Sequence, residues 1–142
     1  MEVVSSLREL VTVATAGIEN LTPAETAWEI DHGDVLLVDV REPFETADGV
    51  IPRAVCSPRG LLEFQADLAS AHHQEPFIPQ RRVIAYSTSG ARSALAAATL
   101  QQLGYQDVAH LVGGFRAWLT AGLPVDAGAG NGPRGINCPP VS

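Results

Sequence analysis

Two hydrophobic rhythms alternate along the chain. Val35-Leu36-Leu37-Val38 and Arg82-Val83-Ile84-Ala85-Tyr86 contain short unbroken apolar runs rich in β-branched residues. Such runs mark strands buried on both faces, and hence a parallel sheet. Ala54-Val55-Cys56 and Val108-Ala109-His110-Leu111 predict further short strands. Between the strands the pattern turns helical. Thr22-Pro23-Ala24-Glu25 combines an N-cap, a proline suited to the first helical position and a capping-box glutamate, so a helix runs from there to about Asp31 and stops near Gly33. Leu61 to Leu68 predicts a helix with Leu61, Leu62, Phe64 and Leu68 on its buried face. Ala94 to Leu103 predicts another, closed by Gly104 as its C′ glycine. Gly113-Gly114 opens a helix that passes Trp118 and Leu119 and ends at Gly122. Near the N-terminus Val3, Val4, Leu7, Leu10, Val11 and Ala14 recur at helical spacing. That apolar face docks on its own domain or, alternatively, on a second copy in a homodimer.

Strands alternating with helices predict an α/β domain with a mostly parallel central sheet and helices on both faces. The chain divides into an amphipathic N-terminal helix (1–17), the α/β domain (18–125) and a Gly/Pro/Asn-rich irregular tail (126–142). Ligands of such folds gather at the C-terminal ends of the strands, so the loops after Val38 and Tyr86 are the places to look.

Composition narrows the function classes. A chain of 142 residues, 46% hydrophobic and 18% charged, is an ordinary single globular domain. Nine Lys+Arg against sixteen Asp+Glu, a net charge of -7, argue against a nucleic-acid partner, which demands clustered cations. No apolar stretch approaches the roughly 18 residues of a membrane span, and the N-terminus lacks a basic leader with an apolar run; the expectation is a cytoplasmic protein with no membrane partner. Two cysteines, Cys56 and Cys138, make no disulfide framework and have no metal-ligand spacing, so neither metal nor cofactor is expected. Cys56 reads as a small buried residue or a second thiol near the site, and Cys138 as a tail thiol. His72-His73 reads as a solvated loop pair and His110 as a strand-end residue.

The segment Tyr86 to Ser93 carries the candidate chemistry. A buried strand ends there and a helix begins within a few residues. Thr88, Ser89, Gly90, Ala91 and Arg92 can turn successive N–H groups into one concavity, to which the helix adds its positive dipole end. Gly90 permits the turn, Arg92 offers a planar cationic fork, and Ser93 suits the N-cap. The alternative is a plain strand–turn–helix corner with a surface arginine.

This loop resembles the active-site loop of rhodanese-like domains, Cys-x-x-Gly-x-Arg-Ser after a buried strand. Other segments resemble the family in the same order. Leu37-Val38-Asp39-Val40-Arg41-Glu42-Pro43-Phe44-Glu45 is similar to its Asp-x-Arg…Glu signature. Gly49-Val50-Ile51-Pro52-Arg53-Ala54 is similar to Gly-His-Ile-Pro-Gly-Ala, with Val50 and Arg53 departing. Leu111 to Trp118 with Gly122-Leu123-Pro124 is similar to the closing Gly-Gly…Trp…Gly-Leu-Pro segment. The resemblance covers about Ile18 to Val125. It implies a single-domain thiosulfate sulfurtransferase, in which a cysteine takes sulfane sulfur from a thiosulfate-like donor and hands it to cyanide, a small thiol or a protein thiol. It places residue 87 and Arg92 in catalysis and residues 88–93 around the anion. Asp39, Arg41 and Glu45 match positions read as structural, with Asp39 and Arg41 paired at the strand end or Arg41 simply on the surface. Arg53 and Arg59 either add positive charge at the mouth or are surface charges.

The residue at the family's catalytic cysteine position is Ser87. A hydroxyl cannot carry a persulfide, and the loop holds no histidine or carboxylate to act as its base. The chain is therefore expected to be inactive in sulfur transfer. Its serine is either an engineered replacement of cysteine, which the intact Gly90, Arg92 and Ser93 favour, or native to a non-catalytic anion- or partner-binding module. Rhodanese-like phosphatases have five residues between nucleophile and arginine; here Thr88 to Ala91 are only four.

Overall fold

The structure is a computed structural model that describes residue 3 and residues 5–127. Five strands form one sheet: β1 (Glu19–Leu21), β2 (Val35–Asp39), β3 (Val55–Cys56), β4 (Arg82–Tyr86) and β5 (Val108–Leu111). Their order is β1-β5-β4-β2-β3 and every neighbouring pair is parallel. Helices α1 (Leu7–Ala16), α2 (Pro23–His32), α3 (Pro43–Thr46), α4 (Leu62–Ala66), α5 (Ala91–Gln102) and α6 (Gly114–Thr120) surround it.

Strand alternation sorts the core into two layers. Leu36, Val38, Val83, Ala85 and Val108 face one way, against Ala14 of α1, Leu62 of α4 and the alanine-rich side of α5. Leu37, Ile84, Tyr86, Ala109 and Leu111 face the other, against Ile30 of α2 and Phe115 and Trp118 of α6. Helices thus cover both faces, as the apolar runs predict.

The capping box forms as read: Thr22 Oγ1 accepts from Glu25 N, and Thr22 N donates to the Glu25 carboxylate. Elsewhere the boundaries move. Strand β1 was absent from the sequence pattern, because three residues are too few to show a period. Helix α1 starts at Leu7 behind the Ser6 cap, and its inner side is Val11 and Ala14. Leu7, Leu10 and Val13 are exposed instead. Of the four residues expected on the buried face of the 61–68 helix, only Leu62 is buried, with Ala66 beside it in the core; Leu61, Phe64 and Leu68 face out. A 3-10 turn over Arg59–Leu61 precedes α4, and Asp67 ends it by capping the next turn at Ala69 N. The first residue of the expected tail also pairs: Asp126 and Val50 exchange two backbone hydrogen bonds. Cys138 and the rest of that tail from residue 128 lie outside the described residues.

At the N-terminal edge of the sheet, Arg82 binds the carboxylates of Glu19, Glu29 and Asp107, tying β1, α2 and the approach to β5 together. No helix among the described residues is long and apolar enough to cross a membrane.

Candidate active site

Strand β4 delivers Ser87 to the C-terminal edge of the sheet. The chain then turns through Gly90, whose φ of 109° lies in the left-handed region that a side chain disfavours, and enters α5 at Ala91. Gly90, not Ser93, is the N-cap. Ser93 is already in the first turn, and its hydroxyl folds back to within 3.1 Å of Gly90 O. Ser87 Oγ accepts hydrogen bonds from Gly90 N (3.3 Å) and Ser93 N (3.2 Å), so amides from both sides of the turn converge on one side-chain atom. The N–H groups of Thr88, Ser89, Ala91 and Arg92 have no acceptor among the described residues. With the N-terminal end of a 12-residue helix behind them, these donors concentrate positive potential at residue 87. Such a setting stabilises an anion there and strengthens any acid carried on that atom.

A second helix grips the loop from outside. At the start of α6, Phe115 N donates to Ser87 O (2.8 Å) and Arg116 N donates to Thr88 O (3.1 Å). Gly114 makes this approach possible. Its φ is 63°, and a Cβ there would collide with Ser87 O and the Thr88 carbonyl.

Arg92 does not stand free as an anion fork. It makes a two-pronged ion pair with Glu45 (3.0 and 2.9 Å) and touches Thr88 Oγ1. Glu45, carried on α3, thereby ties the loop to the segment after β2 and neutralises the charge expected to hold the ligand. Backbone N–H groups are left as the main anion donors.

Arg41 is no surface residue. It is 3% exposed beside a fully buried Asp39. Its Nε and Nη2 bind the Asp39 carboxylate, Nη2 also reaches Gly49 O, and the guanidinium lies 4.3 Å from the Phe115 ring centre. Burial works to lower the Arg41 pKa, but the bond and charge of Asp39 outweigh it and hold it above its ordinary value. Burial, reinforced by Asp39, raises the Tyr86 phenol well above its usual range, and that neutral hydroxyl accepts from Ile51 N. These contacts hold the floor on which the loop sits. Arg59 is engaged by Glu63 and Thr99, and Arg53 by Ile30 O, so neither is directed at the loop. Cys56 sits on β3 opposite Asp39, is buried at 9% exposure and is held in a disulfide, so it is not the second free thiol that the sequence offered.

The residue that sequence reasoning missed is His110. It projects from β5, is 4% exposed, and its Nδ1 lies 3.0 Å from Ser93 Oγ. On its other side Nε2 lies 2.9 Å from Asn20 Oδ1. Burial lowers its pKa, so the ring is neutral. The loop itself holds no base, as expected, but the neighbouring strand brings one within two hydrogen bonds of residue 87. The available signal was a polar residue inside the otherwise apolar run of β5. Beside the loop, Phe44, Glu45, Thr88, Phe115, Arg116 and Leu119 line a cavity of about 350 Å³.

Comparison with known proteins agrees with this architecture. The model of the rhodanese-like domain family matches residues 22–121. A sulfurtransferase of Allochromatium vinosum is 44% identical over 101 residues, covering 70% of this chain and 86% of that protein. The "Probable adenylyltransferase/sulfurtransferase MoeZ" of Mycobacterium tuberculosis is 36% identical over 100 residues, and there the chain spans only 24% of the relative. Among solved structures, a Rhodopseudomonas palustris protein of unknown function, described as a possible tyrosine phosphatase, superposes with a TM-score of 0.82 at 36% identity, covering 89% of this chain and 98% of that one. The polysulfide-sulfur transferase homodimer of Wolinella succinogenes superposes with a TM-score of 0.67 at 29% identity, covering 84% and 85%. In its sequence and in its parallel sheet, the chain belongs to the rhodanese-like domain family, whose members include sulfurtransferases.

Proposed function

We propose that this site is built for sulfane-sulfur transfer through the side chain of residue 87, and that Ser87 leaves it able to bind the donor anion but unable to carry sulfur. The supporting observation is the convergence of Gly90 N–H and Ser93 N–H on Oγ of residue 87 at a helix N-terminus. A thiolate or persulfide needs that environment. With cysteine there, the thiolate attacks the outer sulfur of thiosulfate, a sulfur–sulfur bond forms, and sulfite leaves with the electron pair. Cyanide or an acceptor thiolate then takes the outer sulfur and regenerates the thiolate. A serine hydroxyl is far less acidic and forms no persulfide, so the sequence stops at the bound anion. The four-residue spacing from Ser87 to Arg92 suits a sulfur-sized group better than a phosphoryl group.

The test is Ser87→Cys. Treated with thiosulfate, it gains the mass of one sulfur atom at residue 87 and releases thiocyanate when cyanide is added; the serine chain does neither. A folded Ser87→Cys protein that shows no adduct and no thiocyanate refutes the proposal.

One observation favours a second reading, a non-catalytic anion- or partner-binding module in which the serine is native. The Ser87 hydroxyl accepts two N–H bonds and donates to Ser93 Oγ at 3.4 Å, so its hydrogen-bonding capacity is filled as it stands. On that reading sulfate or thiosulfate shifts the amide resonances of residues 88–92 in the serine chain, while Ser87→Cys stays without turnover.

A further inference from the structure

We propose that His110, oriented by Asn20 and joined to residue 87 through the Ser93 hydroxyl, is a positioning residue that accepts the proton of the nucleophile at position 87. The proposal rests on reading residue 87 as the sulfur-carrying position.

The direction of the hydrogen bonds carries the argument. Asn20 Nδ2 donates to Thr15 O (3.1 Å) and Ile18 O (3.0 Å), which fixes the amide with Oδ1 turned toward His110. An amide oxygen only accepts, so His110 Nε2 must hold the ring proton. That leaves the Nδ1 lone pair facing Ser93 Oγ at 3.0 Å. Ser93 Oγ in turn lies 3.4 Å from Oγ of residue 87. With the Ser93 hydroxyl turned from Gly90 O (3.1 Å) to Nδ1 (3.0 Å), the chain has one polarity, from residue 87 through Ser93 to His110. As the residue-87 proton moves to Ser93 Oγ, the proton of Ser93 moves to Nδ1, and Ser93 ends unchanged. The anion left on residue 87 is held by Gly90 N–H and Ser93 N–H, and the imidazolium by Asn20 Oδ1. No oxidant or outside reactant is required, and the proton returns by the same route.

One neutral acceptor shares the Ser93 proton with Nδ1, the Gly90 carbonyl at 3.1 Å, and no charged group does. Against His110 stand Asn20 from β1, Ala85 from β4, and Gly90 and Ser93 from the loop and α5, all uncharged. Burial keeps the ring neutral and its lone pair available. Of the charged groups on flanking elements, Arg92 is paired with Glu45 and Arg41 with Asp39, while Arg116 of α6 is exposed. Asn20 stands on β1, just before the family match begins at residue 22.

The experiment is the pH dependence of thiol alkylation at position 87 in the full-length Ser87→Cys chain. It is read by mass spectrometry on the peptide that contains position 87, so that the other cysteines do not contribute. The midpoint should fall below the ordinary thiol value of about 8.5. His110→Gln keeps an amide for Asn20 and Ser93 but takes up no proton near neutrality. It should raise the midpoint by about one pH unit and slow alkylation at neutral pH about tenfold, with the thermal midpoint confirming the fold. Ser93→Ala should act in the same direction, and the Ser93→Ala/His110→Gln pair should do no more than the larger single change. An unmoved profile in a folded His110→Gln protein overturns the proposal. Should that variant fail to fold, the imidazole nitrogen shifts of the unaltered serine chain decide: a proton on Nε2 is expected, and a proton on Nδ1 overturns the relay. Persulfide formation without a His110-dependent profile sinks the relay alone. A His110-dependent profile without persulfide sinks the sulfur-transfer reading alone.

Discussion

Gly114→Ala tests whether the candidate loop is held in place by α6. Two penalties add at this position. A side chain at φ 63° costs about 1–2 kcal/mol of backbone strain. The new methyl also meets Ser87 O and the Thr88 carbonyl, which must retreat. Retreat breaks the bonds from Phe115 N and Arg116 N, worth about 1 kcal/mol each. The expected loss is about 3–4 kcal/mol, or about 10–15 °C in Tm for a domain of this size. Gly104→Ala is the internal control. Its φ is 94°, but nothing lies within 4 Å of a Cβ there, so only the strain remains, about 1–2 kcal/mol. Urea unfolding of both variants measures the difference, and amide spectra locate it: the resonances of Gly90 and Ser93 should move in Gly114→Ala and stay in Gly104→Ala. Equal destabilisation by the two substitutions, or unmoved loop resonances in Gly114→Ala, would refute the clamp.

Further expectations follow from the same contacts. Arg41→Met strands the buried Asp39 carboxylate and should cost about 3–5 kcal/mol in urea unfolding, much of it recovered when Asp39→Leu is added. Arg53 sits at φ 73°, so Arg53→Gly should be about 1 kcal/mol more stable than Arg53→Ala, since both lose the bond to Ile30 O and only glycine relieves the backbone. His110 links stability to pH. The unfolded histidine takes up a proton near 6.5, whereas burial lowers the folded value, so below about 6.5 the unfolded chain binds the extra proton. Stability from this group is complete above that pH and is lost as the pH falls toward the folded value. His110→Gln should flatten this part of the acid limb in thermal melts recorded across it.

What could be read from the sequence was what short-range rules dictate. The runs at Val35 and Arg82 revealed buried strands because no polar residue interrupts them, and Thr22 with Glu25 revealed a helix start because the capping box is local chemistry. The loop at Ser87 was found for the same reason, since strand, glycine and helix lie within eight residues. What escaped was made by the sheet order. Asn20 and His110 are ninety residues apart and meet only because β1 pairs with β5. Ser93 was misread as an N-cap because a hydroxyl near a helix start usually caps it, whereas this one is drawn to His110 and the Gly90 carbonyl. Arg92 kept its predicted place in the loop, but its partner Glu45 comes from forty-seven residues upstream and takes up its charge.

The short strand β1 has a consequence for how the chain can be shortened. It occupies the outer side of β5, pairing Glu19, Asn20 and Leu21 with Ala109, His110 and Leu111. A fragment beginning at residue 22, where the family match starts, would strip that cover and leave Val108–Leu111 as a bare apolar edge with unpaired N–H and C=O groups. Edges of that kind recruit strands from other molecules. The trimmed domain should therefore self-associate, and a chain that retains Glu19–Leu21 keeps that border closed.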